Sequence, residues 1–200
     1  MNKAVMLSIR PKWVEKIASG EKTIEVRKTS PKIEPPFKCY VYCTAERVGY
    51  EELWVLDAPS REKYLITAVC AYLQRAEGAS KGNRKVIGEF TCDRIYELAP
   101  LNHAPDDVEK QACLTREEIV NYLKGTGYGW HISNLKIYDA PKKLGEFWRD
   151  CLEYSELSTN CWSCENVCGD GDETDCNTDG RLYLHRPPQS WCYVEAMKNE

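Results

Sequence analysis

Between Ser8 and Lys28 the run SIRPKWVEKIASGEKTIEVRK places Gly20, Lys22, Glu25 and Arg27 close together, and their types could hold or transform a ligand. Alternation along KTIEVRK sets Glu25 and Arg27 on one face of a strand, opposed to Ile24 and Val26, so the two charges could pair. Arg27 offers a planar fork to a phosphate or a base edge. Lys22 is either a point charge or, if burial strips it of water, a nucleophile or base with a lowered pKa. Arg10 and Lys12 add positive charge nearby, and Trp13, Trp130 or Trp191 could offer a stacking face for a base. The plainer reading of the same residues is a surface ion pair beside core tryptophans.

The histidines and cysteines open further chemistry. His131, in GWHIS, could act as an acid or base, or sit packed and hydrogen-bonded beside Trp130. His103 stands in a Pro-rich loop without an evident role, and His185, before the RPP turn, could reach a metal. Cys161, Cys164, Cys168 and Cys176 have the spacing C-x2-C-x3-C-x7-C, whose first pair matches a zinc knuckle. Four thiolates around a structural Zn²⁺ would order a segment too polar to fold alone. An iron–sulfur cluster and plain disorder with free thiols are the other uses of such a cluster. Asp175, Asn177 and Asp179 open like a calcium loop, but Arg186 stands where that loop needs a bidentate Glu, so calcium is rejected. The chain has no Gly-x-Ser-x-Gly elbow, phosphate-binding Walker loop or dinucleotide fingerprint.

These residues need elements to position them. Residues 4–10 alternate as a half-buried strand, with Val5, Leu7 and Ile9 on one face and Met6, Ser8 and Arg10 on the other. Pro11 suits a first helical turn, Trp13, Val14, Ile17 and Ala18 form an apolar stripe, and Gly20 suits a C-cap. Strands are expected over 22–28, 39–45, 85–98 and 127–138, with Gly88 as a bulge or bend. Residues 46–80 fit helix or strand equally well, and 79–83 read as a turn. Thr115 and Glu118 have capping-box spacing, so a helix is expected over 115–125. A last helical stretch is expected over 141–152, then an acidic Cys-rich segment to 181 and a closing strand in RPPQSWCYVEA.

Composition bounds the class. Two hundred residues with 42% hydrophobic and 10% aromatic content can bury a real core. No window approaches a membrane span, and the N-terminus lacks a signal-peptide core, so the expectation is a soluble, cytoplasmic protein. Six of the eleven cysteines (Cys39, Cys43, Cys70, Cys92, Cys113 and Cys192) are scattered through apolar stretches and read as reduced core residues. The net charge of −4 is uneven: residues 1–40 hold nine Lys/Arg against four Asp/Glu, whereas residues 150–180 hold nine Asp/Glu and no Lys or Arg. A basic end can draw phosphate even in an acidic chain.

The Gly-x-Lys-x-x-Glu-x-Arg run, entered from a Pro-initiated helix and leading into a strand, resembles the ASCH domain family of the PUA-like superfamily. The later GEFTCDRI, GYGWHISNLKIY and RPPQSWCYVE segments are similar to barrel strands of small prophage-type members. The resemblance implies an α+β fold: a PUA-like small mixed β-barrel with peripheral helices and a Cys-rich C-terminal insertion. The expected division is a barrel over 1–150, the insertion over 151–181, and a strand returning to the barrel within 182–200. It further implies an RNA- or nucleotide-binding cleft, with Ser8, Arg10, Lys12, Lys22, Glu25, Arg27, Trp130, His131 and Trp191 as the ligand-binding set. The partner would be RNA or a modified nucleotide or nucleoside. Some family members are acylcytidine amidohydrolases or ribonucleases, and Lys22 matches the position of the amidohydrolase lysine. Where that subfamily places its catalytic Thr this chain has Glu25, and Glu89 is the candidate for the remote acid. A hydrolase using Lys22 with Glu25 or Glu89 is therefore the alternative to binding, and a non-catalytic protein-interaction scaffold is the third reading.

Overall fold

The computed structural model describes residues 3–44, 84–98, 104–151 and 181–197. The ambiguous stretch 46–80, His103 and the cluster Cys161, Cys164, Cys168 and Cys176 lie outside the described residues. In chain order the elements are β1 (Lys3–Ile9), α1 (Pro11–Ala18), β2 (Ile24–Arg27), β3 (Phe37–Cys43), β4 (Lys85–Glu97), α2 (Val108–Ala112), α3 (Arg116–Leu123), β5 (Tyr128–Lys142), β6 (Trp148–Asp150), β7 (Arg181–Tyr183) and β8 (Trp191–Glu195).

Six strands form one sheet in the order β2-β5-β4-β3-β1-β8, and β6 pairs with β7 apart from it. β1 and β3 run parallel through the α1–β2 crossover, while the other neighbours in the large sheet are antiparallel. The sheet curls because β4 and β5 carry register shifts, one of them beside Gly88. A Cβ on Gly88 would lie 2.5 Å from the Lys136 carbonyl oxygen, so only glycine lets β5 approach there. The result is a half-barrel whose open edges are β2 and β8. Side chains close that seam: Arg27 bonds Ser190, the Trp191 indole N–H donates to Thr29 Oγ1 at 3.0 Å, and the Lys32 amide donates to the Tyr193 hydroxyl at 2.7 Å.

The concave face buries Val5, Leu7, Ile9, Cys39, Val41, Phe90, Cys92 and Trp130, with Val14 and Ile17 of α1 against them. The sequence reading of β1 as half-buried understates it. Ala4 and Met6 are buried too, under Leu144, Phe147 and Val194 on the reverse face. A third cluster places Ile24 and Val26 against Val108, Ala112, Ile119 and Leu123. α3 begins as its sequence requires: the Thr115 hydroxyl accepts from the Glu118 amide, and the Glu118 carboxylate accepts from the Thr115 amide.

One expectation is corrected. Residues 141–152 form no helix; β5 runs to Lys142, a single 3-10 turn spans Leu144–Glu146, and β6 follows. One such turn suffices to bury both Leu144 and Phe147, whose spacing mimics a helix. Residues 108–112, for which the sequence reading named no element, form the short helix α2.

Candidate functional site

Strand parity decides which side chains meet. Glu25 stands opposite Trp130 and Arg27 opposite Tyr128, so these four share the concave side, whereas Ile24 and Val26 turn toward the helices. Trp191, opposite Leu7, joins the same side, its ring 6.0 Å from that of Trp130. Lys22 precedes β2 and reaches Glu25 at 3.5 Å; Arg27 reaches the other Glu25 oxygen at 3.0 Å. The three charges form a chain with the carboxylate in the middle. All three are buried, with Lys22 only 2% exposed. The surface ion pair of the plainer reading is replaced by an interior one.

The two cations are held by backbone oxygens as well. Lys22 Nζ donates to the Ala112 carbonyl at 2.7 Å. Arg27 Nη2 donates to the Ser8 carbonyl at 2.9 Å, and Nη1 lies 3.2 Å from both Ser190 oxygens. The arginine fork is therefore engaged inside the protein, bridging β2 to the far edge. Burial pushes the Lys22 ammonium below its ordinary pKa, and the attraction of Glu25 opposes but does not cancel that fall. The Trp13 ring lies against this amine, its centroid 5.2 Å from Lys22 Nζ and 4.8 Å from the exposed Lys12 Nζ. One half-buried indole thus meets both a buried ammonium and an exposed one. Arg10 is exposed beside them. The Ser8 hydroxyl, Arg27 Nε and Trp130 Nε1 are buried without a hydrogen-bond partner among the described residues.

Two expected members of the site lie elsewhere. Glu89 pairs in register with Tyr40 and Lys136 on the reverse face, while its neighbour Phe90 enters the concave core. There it accepts from the Tyr138 hydroxyl at 2.7 Å and pairs with Lys38 at 3.2 Å. Burial alone would raise its pKa, but these two partners, with the charge of Lys136, outweigh burial and hold the carboxyl below its ordinary value. His131 is opposite Ile24, hence also turned from Glu25, and its Nδ1 lies 2.6 Å from Asp93 Oδ1. Trp130 is completely buried, so its ring is a wall of the interior and offers no open stacking face.

Sequence reasoning missed Ser190, Ala112 and Asp93. Ala112 acts through its backbone oxygen alone and Ser190 through its carbonyl as well as its hydroxyl, and a backbone oxygen carries no residue signature; Asp93 could have been found only from the strand register. Among the described residues no group of three or more His, Cys, Asp or Glu is placed to hold a metal.

A strand–helix–strand carrying Lys22, Glu25 and Arg27 into a curled mixed sheet is the arrangement the sequence resemblance implied. The ASCH domain model matches residues 7–168. The chain belongs to the ASCH domain family. Solved ASCH structures agree at the level of fold. The ASCH protein of Zymomonas mobilis superposes with a TM-score of 0.51 at 14% identity, over 96% of this chain and 88% of that one. A serine-to-alanine variant of the same protein gives 0.51 at 13% identity, over the same shares of 96% and 88%. Among curated proteins no match is found. This ASCH domain has a PUA-like architecture in which the Lys22–Glu25–Arg27 chain forms the join between β2, α2 and the β8 edge. Among the described residues no helix is long and apolar enough to cross a membrane.

Proposed function

We propose that this ASCH domain binds RNA or a nucleotide, with the ligand entering beside Trp13, Lys12 and Arg10 toward Lys22. The observation that carries this reading is the gathering of a buried ammonium and an exposed one at a single half-buried indole. A base stacked near that indole would have ammonium groups within reach for its phosphate or its carbonyl oxygens. Charge supports the reading too. Residues 1–40, which carry Arg10, Lys12 and Lys22, hold nine Lys and Arg against four Asp and Glu, a local excess of +5 within a chain of −4. Arg27 contributes by fixing the seam, not by meeting the ligand.

The test is a titration of purified protein with short RNA and with a panel of modified nucleosides at two salt concentrations, with product analysis of each mixture. Saturable, salt-weakened binding that is lost in Lys12→Glu and Trp13→Leu, without product, is the expected result. No binding of any of these ligands would overturn the reading and leave the protein-interaction scaffold.

The lowered pKa of Lys22 favours one second reading, a hydrolase in which the Lys22 amine attacks or takes a proton with Glu25 beside it. Glu89 has no part in it, because it faces the other side of the sheet. Product formation abolished by Lys22→Met, with ligand binding retained, would establish this reading.

A further inference from the structure

The reverse face of the sheet, remote from Lys22, carries its own concentration of positive charge. Lys38 on β3, Glu89 on β4 and Lys136 on β5 stand in adjacent strands, with Glu89 in register with Lys136. Lys142, in register with Val86, lies over the Tyr138 ring at 5.6 Å, and the exposed Arg84 enters β4 at the same end. Glu89 is the carboxylate within this strip, and it is already engaged by Lys38 and the Tyr138 hydroxyl. Asp139 is exposed but follows Tyr138 on a strand and so turns from its face. Four cations share this face with one carboxylate, so the strip keeps a net positive charge after Lys38 and Glu89 have paired. Lys136 is exposed, and beyond its longer-range attraction to Glu89 no ion pair shorter than 4 Å ties it among the described residues.

The geometry points to this strip, Arg84, Lys38, Lys136 and Lys142, as a second contact surface for a single-stranded RNA backbone, separate from the cleft at Lys22. The inference rests on the RNA reading above in naming its partner. Phosphates need only ammonium and guanidinium groups on an open surface. An acidic protein would need apolar anchors at the centre of its contact, and the apolar residues of this face are covered by Leu144 and Phe147. A long RNA would engage the cleft with one segment and the strip with another, whereas a mononucleotide would use the cleft alone.

The experiment compares Lys136→Glu/Lys142→Glu with Lys110→Glu/Arg116→Glu, a control with the same charge change on the exposed helix positions. Both are titrated with a short oligonucleotide, a twenty-nucleotide RNA and a mononucleotide across a salt series, with circular dichroism to confirm folding. The strip variant is expected to bind the long RNA at least tenfold more weakly. Its salt dependence should be shallower by about 0.7 log units per decade of salt for each phosphate contact removed, while mononucleotide binding and the control variant stay unchanged. Equal loss in the control would overturn the proposal by reducing it to net charge, and unchanged long-RNA affinity in the strip variant would overturn it outright. Competition by polyglutamate as strong as by RNA would also overturn it, in favour of an acidic protein partner. Failure of the unaltered protein to bind any RNA would instead overturn the cleft reading and this one together.

Discussion

Arg27 Nη1 lies 3.2 Å from the Ser190 carbonyl oxygen, across the one gap in the sheet that backbone hydrogen bonds leave open between β2 and β8. With Nη2 on the Ser8 carbonyl and on Glu25, one guanidinium ties three segments that are far apart in sequence. A lysine presents one ammonium and cannot span the same oxygens.

Arg27→Lys is therefore expected to destabilise the protein, and Arg27→Met more so, because Glu25 is left buried with a weaker set of partners. Breaking a buried pair costs about 3–5 kcal/mol. Urea unfolding measures it, and a loss below about 1 kcal/mol for Arg27→Met would show that the seam is held by Trp191 and Tyr193 instead.

Gly88→Ala tests the curl. The added methyl meets the Lys136 carbonyl oxygen at 2.5 Å and Ile137 at 3.2 Å, so β4 and β5 must move apart where the sheet bends. Overpacking of this kind costs about 1–3 kcal/mol. A drop in the thermal midpoint is expected, and a neutral substitution would mean that the bend has freedom the packing does not show.

Tyr40 ties the C-terminal stretch to the reverse face. Its hydroxyl accepts from the Met197 amide at 2.7 Å, and burial pushes the phenol from 10.0 up to about 12. The unfolded chain loses this proton near its ordinary value while the folded chain keeps it. Tyr40 thus contributes stability that is complete below pH 10 and lost as pH rises through about 12. Tyr40→Phe is expected to make the alkaline loss of stability shallower between those values. An identical slope would assign the loss to other groups, among them Cys92, whose thiol is likewise pushed up to about 12.

The first 28 residues were legible because their periods change cleanly from two to 3.6 and back, and because Pro11 and Gly20 mark the helix. The pairing of Glu25 with Arg27 followed from the same alternation. Its burial did not, because the cover comes from Ala112 and Ser190, which lie 90 and 163 residues from the groups they meet. Glu89 and His131 were misplaced for another reason. Each is the strand neighbour of a buried aromatic, Phe90 or Trp130, and alternation turns it to the opposite face, a constraint that grouping residues by type alone does not apply. The stretch from Leu144 to Phe147 misled because an apolar spacing of three fits one 3-10 turn as well as a helix.

Glu25→Gln separates the electrostatic role of the carboxylate from its shape. Glu25 raises the Lys22 pKa against the stronger effect of burial, so its neutral isostere removes the main opposition to burial and to the charge of Arg27, both of which lower it. The Lys22 titration, followed by NMR of its side-chain carbons, is expected to move to lower pH in the variant. The sign for stability follows. The folded state releases the Lys22 proton below 10.5 and the unfolded chain near 10.5, so the unfolded state binds more protons between the two midpoints. Stability therefore rises with pH across that window, and the window widens in Glu25→Gln. The variant should be more impaired at pH 7 than at pH 10, whereas an unmoved or raised Lys22 midpoint would show that Glu25 does not govern this amine. A lowered midpoint would also leave more free amine at neutral pH, so faster acylation of Lys22 by a water-soluble ester should accompany it.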